Sequence, residues 1–110
     1  IGVTAIRALL EDLPPSTRPT VIIRANEESQ VALREEIHEL ARRRNGNVRE
    51  IIGPLESFSF TPGTLLELVP DLAKRDLYVC GPPGLVKTVG EAARRAGVAR
   101  SALHFEEYAL

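Results

Sequence analysis

The sequence predicts an α/β fold: an open parallel sheet in three layers, with helices on both faces. Three observations carry that expectation. Helical and strand patterns alternate along the whole chain, the strand runs are short and β-branched, and the Gly/Pro breaks that interrupt them fall mostly where a strand hands over to a helix. Such an alternation is that of a parallel sheet with right-handed crossovers.

The first element is a helix over residues 4–13, because Ile6, Leu9, Leu10 and Leu13 recur at helical spacing and Pro14-Pro15 stop the pattern. Thr20 to Arg24, with Val21, Ile22 and Ile23, reads as a strand buried on both faces. Residues 29–44 form a second helix on Val31, Leu33, Ile37, Leu40 and Ala41, closed by Arg42, Arg43 and Arg44 before a left-handed Asn45-Gly46 turn. A strand over residues 48–52 ends at Gly53-Pro54, and a loop with Phe58 and Phe60 leads to a helix with Thr61 as cap and Pro62 at its first position, running to about Val69. Asp76 to Cys80 is the next strand. Residues 83–96 form the last helix, with Leu85, Val86, Val89, Ala92 and Ala93 inward and Gly97 as its left-handed stop, and residues 102–106 make the final strand. The chain opens directly on a helix, without a strand before Gly2, so the expected fold lacks its first strand and the natural protein is expected to continue upstream of Ile1.

Composition narrows the function classes. The 110 residues suit one domain spanning 1–110, and 44% hydrophobic with 26% charged residues is an ordinary globular balance. A formal net charge of -1 disfavours nucleic acid as a partner, and no apolar run reaches the ~18 residues of a membrane span. A single cysteine, Cys80, excludes an internal disulfide and suits a reducing, cytoplasmic setting. No metal site is expected.

Ligands of an open parallel sheet bind outside the carboxyl ends of the strands. The residues placed there are Gly2, Val3 and Thr4, Arg24 to Glu28, Gly53 to Phe60, Cys80 to Gly84, and Glu106 to Leu110. Gly2-Val3-Thr4 opens a helix whose unpaired N–H groups suit a phosphate, although Thr4 could equally be a simple cap. Cys80-Gly81-Pro82-Pro83-Gly84 places two glycines around a rigid Pro-Pro, a loop able to offer a flat backbone edge to a planar ring, or a tight turn beside an inert thiol. Arg24 stands where an arginine accommodates a ribose 2′-phosphate, with pairing to Glu27 or Glu28 as the plain alternative. Glu106 and Tyr108 present an acid and an aromatic ring at the edge that carries Cys80. His38 reads as solvated and His104 as a strand residue. A cysteine-dependent enzyme using Cys80 and His104 is a further reading of little weight.

These residues match a known pattern. The chain resembles, over essentially its whole length, the nicotinamide-dinucleotide-binding lobe of the ferredoxin-NADP reductase superfamily, in particular its ferric-reductase-like flavin oxidoreductases. The likeness rests on Gly2-Val3-Thr4 as the end of a Gly-x-Gly-x-Thr-Pro segment, on Tyr78-Val79-Cys80-Gly81-Pro82-Pro83-Gly84, and on His104-Phe105-Glu106-Glu107-Tyr108. Ala5 stands where the family commonly has Pro, and no aromatic residue ends the chain.

The resemblance implies a two-lobed flavoenzyme in which an upstream lobe carries FAD and this lobe delivers hydride from NADPH or NADH. It places Gly2, Val3 and Thr4 against the pyrophosphate, Arg24 near a 2′-phosphate, and Cys80, Gly81, Pro82 and Pro83 against the nicotinamide. Cys80, Glu106 and Tyr108 then border the reacting rings as the catalytic set. The implied partners are the FAD-binding domain and an electron acceptor such as ferredoxin, an iron chelate or haem, on the cytoplasmic side. The 110 residues alone are not expected to be active. A non-catalytic nucleotide-binding or interaction module on the same fold is the alternative.

Overall fold

The computed structural model describes residues 2–107, with side chains from Thr4 onward. Its elements are α1 (Gly2–Asp12), β1 (Thr20–Ala25), α2 (Arg34–Arg42), β2 (Asn47–Ile52), α3 (Pro62–Leu68), β3 (Leu77–Gly81), α4 (Pro83–Arg95) and β4 (Leu103–Glu107), joined by short 3-10 turns. The fold is mixed α/β with parallel strand pairs. β1 pairs with β2, and β3 pairs with β4, in two two-stranded sheets. The chain divides into two compact units, Ile1–Phe58 and Ser59–Leu110.

In the first unit, β1 and β2 run from Thr20 opposite Asn47 to Ala25 opposite Ile52. Val21 and Ile23 are buried, whereas Thr20, Ile22 and Arg24 are half-buried. Alternation thus replaces the two-faced burial that the β-branched run predicts. The reason lies in the helices: Leu10 of α1 and Ile37 of α2 share one apolar cluster with Val21 and Ile23, so both contribute to the core on that one face of β1. Ile6, Leu13, Leu40 and Val48 pack around this cluster.

Two boundaries differ from the sequence reading. Thr4 lies within the first turns of α1 and not at its cap. The expected helix over residues 29–44 begins only at Arg34, because side chains of residues 27–30 bond their own backbone. The Gln30 side-chain Oε1 accepts from Asn26 N at 2.9 Å and Glu27 N at 3.2 Å, and the Glu27 carboxylate accepts from Gln30 N. These local bonds close a 3-10 turn, Val31 is extended, and Leu33 enters α2 from a left-handed conformation at φ 56°.

At its other end α2 closes as expected. Asn45 is left-handed at φ 54°, Gly46 N donates to Ala41 O at 2.9 Å, and Asn45 N donates to Arg42 O at 3.0 Å. Gly46 is required for a different reason: a Cβ there would run into the Pro19 carbonyl oxygen and lie 2.8 Å from Pro19 Cδ. Arg44 is half-buried and not part of a solvated basic run. It donates to Leu13 O (3.0 Å), Leu40 O (2.9 Å) and Glu11 O (3.1 Å), tying the end of α1 to that of α2. Arg42 and Arg43 do remain exposed, and both pair with Glu39.

In the second unit, β3 and β4 run from Leu77 opposite Leu103 to Gly81 opposite Glu107. Val79, Val86 and Val89 form the core with Phe60, Leu77 and Leu85 packed against it. The Phe105 ring approaches Gly90 of α4 so closely that an added Cβ would lie 3.1 Å from it. Thr61 caps α3 as the sequence predicts, its hydroxyl accepting from Thr64 N at 3.1 Å. α4 stops at Gly97, where φ is 104°. None of the described helices is long and apolar enough to cross a membrane.

Gly46→Ala should destabilise the chain by about 2 kcal/mol or more, since backbone and not a flexible side chain occupies the space. Chemical denaturation followed by circular dichroism measures this, with Gly84→Ala, where an added Cβ meets nothing within 4 Å, as the control expected to change little.

Candidate functional site

The second unit holds the densest part of the predicted site. β3 delivers Cys80 and Gly81 to its carboxyl end, Pro82 is extended, and Pro83 occupies the first position of α4. Pro82 and Pro83 start a helix without wasting an N–H, because those donors have no partner in the first turn. Gly81 allows the helix to begin at once: a Cβ there would lie 2.8 Å from Leu85 Cδ2. The Gly84 position is exposed and open.

Parallel register sets Cys80 opposite Glu106 and Gly81 opposite Glu107. Strand alternation then gives one face to Tyr78, Cys80, His104 and Glu106, and the other to Leu77, Val79 and Phe105. The second face carries Val79 into the α4 core. On the first, Cys80 is half-buried and Glu106 exposed. Tyr78 and His104 stack with ring centroids 4.4 Å apart and planes 16° from parallel. His104 is a strand residue, as expected, and its Nε2 lies 3.4 Å from Asp76 Oδ1, beyond the amino end of β3. It is therefore turned away from the end that carries Cys80.

Burial pushes the Cys80 thiol up, and the Glu106 carboxylate adds to the same direction by opposing a thiolate. A nucleophilic cysteine needs the reverse, a depressed pKa and a base at hand. The Cys80 and His104 dyad finds no support in this arrangement.

The first unit places the other predicted residues. Gly2, Val3 and Thr4 lie in the first turn of α1, with Thr4 exposed. Arg24, near the carboxyl end of β1, pairs with neither Glu27 nor Glu28. Its Nη1 donates to Ala25 O (2.7 Å), Ile51 O (3.2 Å) and Gly53 O (3.0 Å), and Nη2 donates to Pro54 O (2.7 Å). The guanidinium thus pins the turn after β2 against the end of β1. Tyr108 lies outside the described residues.

Sequence reasoning missed one charged cluster in this unit. Arg34 Nε donates to Glu50 Oε2 at 3.0 Å, and His38 Nε2 lies 2.7 Å from the same oxygen. Arg34 Nη2 is buried and 2.8 Å from Glu50 Oε1, an ion contact outside hydrogen-bond alignment, with Glu28 at 3.5 Å. His38 is thus engaged and not merely solvated. The bond with His38, followed by those from Arg34, holds the Glu50 carboxyl below the usual range against the opposing effect of burial. Only the strand register, invisible in sequence, brings Glu50 of β2 under α2. No group of three or more His, Cys, Asp or Glu among the described residues is placed to hold a metal ion.

Compared with protein-family models, curated proteins and solved structures, the chain matches none.

Two measurements check these electrostatics. Iodoacetamide modification of Cys80 should rise with pH through a midpoint above the ordinary thiol range, and Glu106→Gln should lower that midpoint only part of the way, because burial is the larger cause. Glu50 has a depressed folded-state pKa, so its contribution is complete above the ordinary carboxylate value of about 4.3 and is lost as pH falls through the depressed one. Glu50→Gln should cost about 1 kcal/mol near neutral pH. Thermal melts at several pH values should show a shallower acid limb for the variant.

Proposed function

We propose that the chain is the NAD(P)H-binding lobe of a flavin-dependent oxidoreductase, holding the dinucleotide so that hydride passes to an FAD borne by a separate lobe. The observation that carries this reading is the Cys80–Gly84 loop: it joins a parallel strand to a helix N-terminus, with Glu106 directly across from Cys80. Within this reading the sheet is the three-layer open kind, with helices on both faces.

When bound, the nicotinamide supplies the hydride and the flavin accepts it, leaving the one oxidised and the other reduced. The work of the chain is positioning, worth several kcal/mol of barrier when two reactants are held in contact. Gly81 leaves room for Leu85 to pack beneath the loop, and the Pro82-Pro83 pair fixes the loop before any ligand arrives. Cys80 contributes a small polarizable atom that stays protonated, so it neither attacks the electrophilic ring nor brings a second charge to it. Glu106 sets a carboxylate at the same edge, where its charge favours a cationic, oxidised nicotinamide. Tyr108 shields the flavin side in this reading. Gly2, Val3 and Thr4 offer the start of α1 to the pyrophosphate, where free N–H groups and the helix dipole favour an anion. The electron acceptor beyond the flavin is ferredoxin, an iron chelate or haem, and the setting cytoplasmic.

Calorimetric titration of the chain with NAD+ and NADP+ tests the proposal, with iodoacetamide labelling of Cys80 as the local probe. At least one dinucleotide should bind saturably and slow the labelling of Cys80, while AMP, which lacks the nicotinamide, should leave labelling unchanged. Cys80→Trp should abolish dinucleotide binding or weaken it about tenfold or more by filling the ring site. A folded chain that binds neither dinucleotide, or whose Cys80 is equally reactive in the saturated complex, would overturn the proposal.

A further inference from the structure

We infer that the adenosine end of this site takes a ribose with both hydroxyls free, so that the chain selects NAD(H) over its 2′-phosphorylated counterpart. The inference rests on the dinucleotide reading above and assigns the specificity of that site. Residue type alone argues the opposite, since an arginine near the end of this strand is what accommodates a 2′-phosphate. The geometry of Arg24 removes that role.

A guanidinium grips a phosphate by turning two parallel N–H groups toward it. Both terminal nitrogens of Arg24 are turned to carbonyl oxygens instead, Nη1 to Ala25, Ile51 and Gly53 and Nη2 to Pro54. Ile51 and Gly53 are half-buried, so swinging the side chain out to a phosphate would take the Arg24 donor from both oxygens, while Ala25 O would keep the bond from Gly53 N at 3.0 Å. Arg24 is therefore a positioning residue that holds the turn after β2 against β1. The other guanidinium near this edge, Arg34, is engaged by Glu50 and Glu28. Past the end of β1 the chain presents Asn26, Glu27 and Glu28 to solvent, all exposed. Two carboxylates oppose a phosphate monoester carrying about -2 charge, whereas amide and carboxylate groups accept or donate to a neutral hydroxyl pair without penalty.

Calorimetry on the full chain with NAD+ and NADP+ decides the matter without any variant. NAD+ should bind about tenfold tighter or more. Equal or tighter binding of NADP+ would overturn the inference while leaving the dinucleotide reading intact, and binding of neither would overturn both. Arg24→Ala should lower the thermal midpoint and leave the NAD+ to NADP+ affinity ratio within about twofold of the parent. A selective loss of NADP+ affinity in that variant would show a phosphate contact and refute the assignment. Replacing both acids, with Glu27→Gln and Glu28→Gln together, should raise the ratio of NADP+ to NAD+ affinity several-fold, and an unchanged ratio would count against it.

Discussion

Parallel pairing is the constraint on which the rest of this structure depends. Two strands that run the same way cannot be joined by a tight turn; the chain must leave at one end and return to the other, which takes a crossover of a dozen or more residues. In the first unit that crossover contains α2, and in the second α4. Both strands of each pair consequently end at the same edge, and residues remote in sequence meet there. Arg24 reaches the carbonyl of Gly53, and Cys80 faces Glu106, because register puts Arg24 opposite Ile51 and Cys80 opposite Glu106.

Where the short parallel strands and the helices end, arginine side chains add donors to carbonyl oxygens, some of which also keep a backbone partner, as Ala25 O does with Gly53 N and Pro54 O with Ser57 N. Arg24 does so where β1 and β2 end, and Arg44 where α1 and α2 end. A guanidinium offers five donors spread over three nitrogens in a rigid plane, so one side chain can serve several carbonyls several ångströms apart, which the single nitrogen of a lysine cannot span as well. Both side chains are half-buried, which strengthens these bonds and makes their loss costly. In Arg24 these bonds hold the turn after β2 to the end of β1.

The edge of the second unit obeys a different logic. On β3 and at the start of α4 its residues are small, rigid or uncharged, and β4 sets Glu106 across from the protonated Cys80 thiol and Glu107 across from Gly81. Nothing in it is arranged to raise nucleophilicity, because the imidazole that could act as base is stacked on Tyr78 and directed toward Asp76.

Much of this was legible in residue order. Periodicity and punctuation located four helices and four strands, because apolar spacing and the stereochemistry of Gly, Pro and Thr act within a few residues: Thr61 caps α3, Pro83 opens α4 and Gly97 closes it. The late start of α2 was hidden, since the Gln30 and Glu27 side chains compete with the helix only in one particular turn geometry. Hidden too were the partners that Arg24, Arg44, His38 and Glu50 find on neighbouring elements. By itself the sequence determined which segments become helix or strand and which loops carry unusual chemistry, as these are local steric facts. Only the tertiary structure decided what each charged side chain binds, because that depends on strand register and helix placement, which bring together groups separated by thirty residues or more.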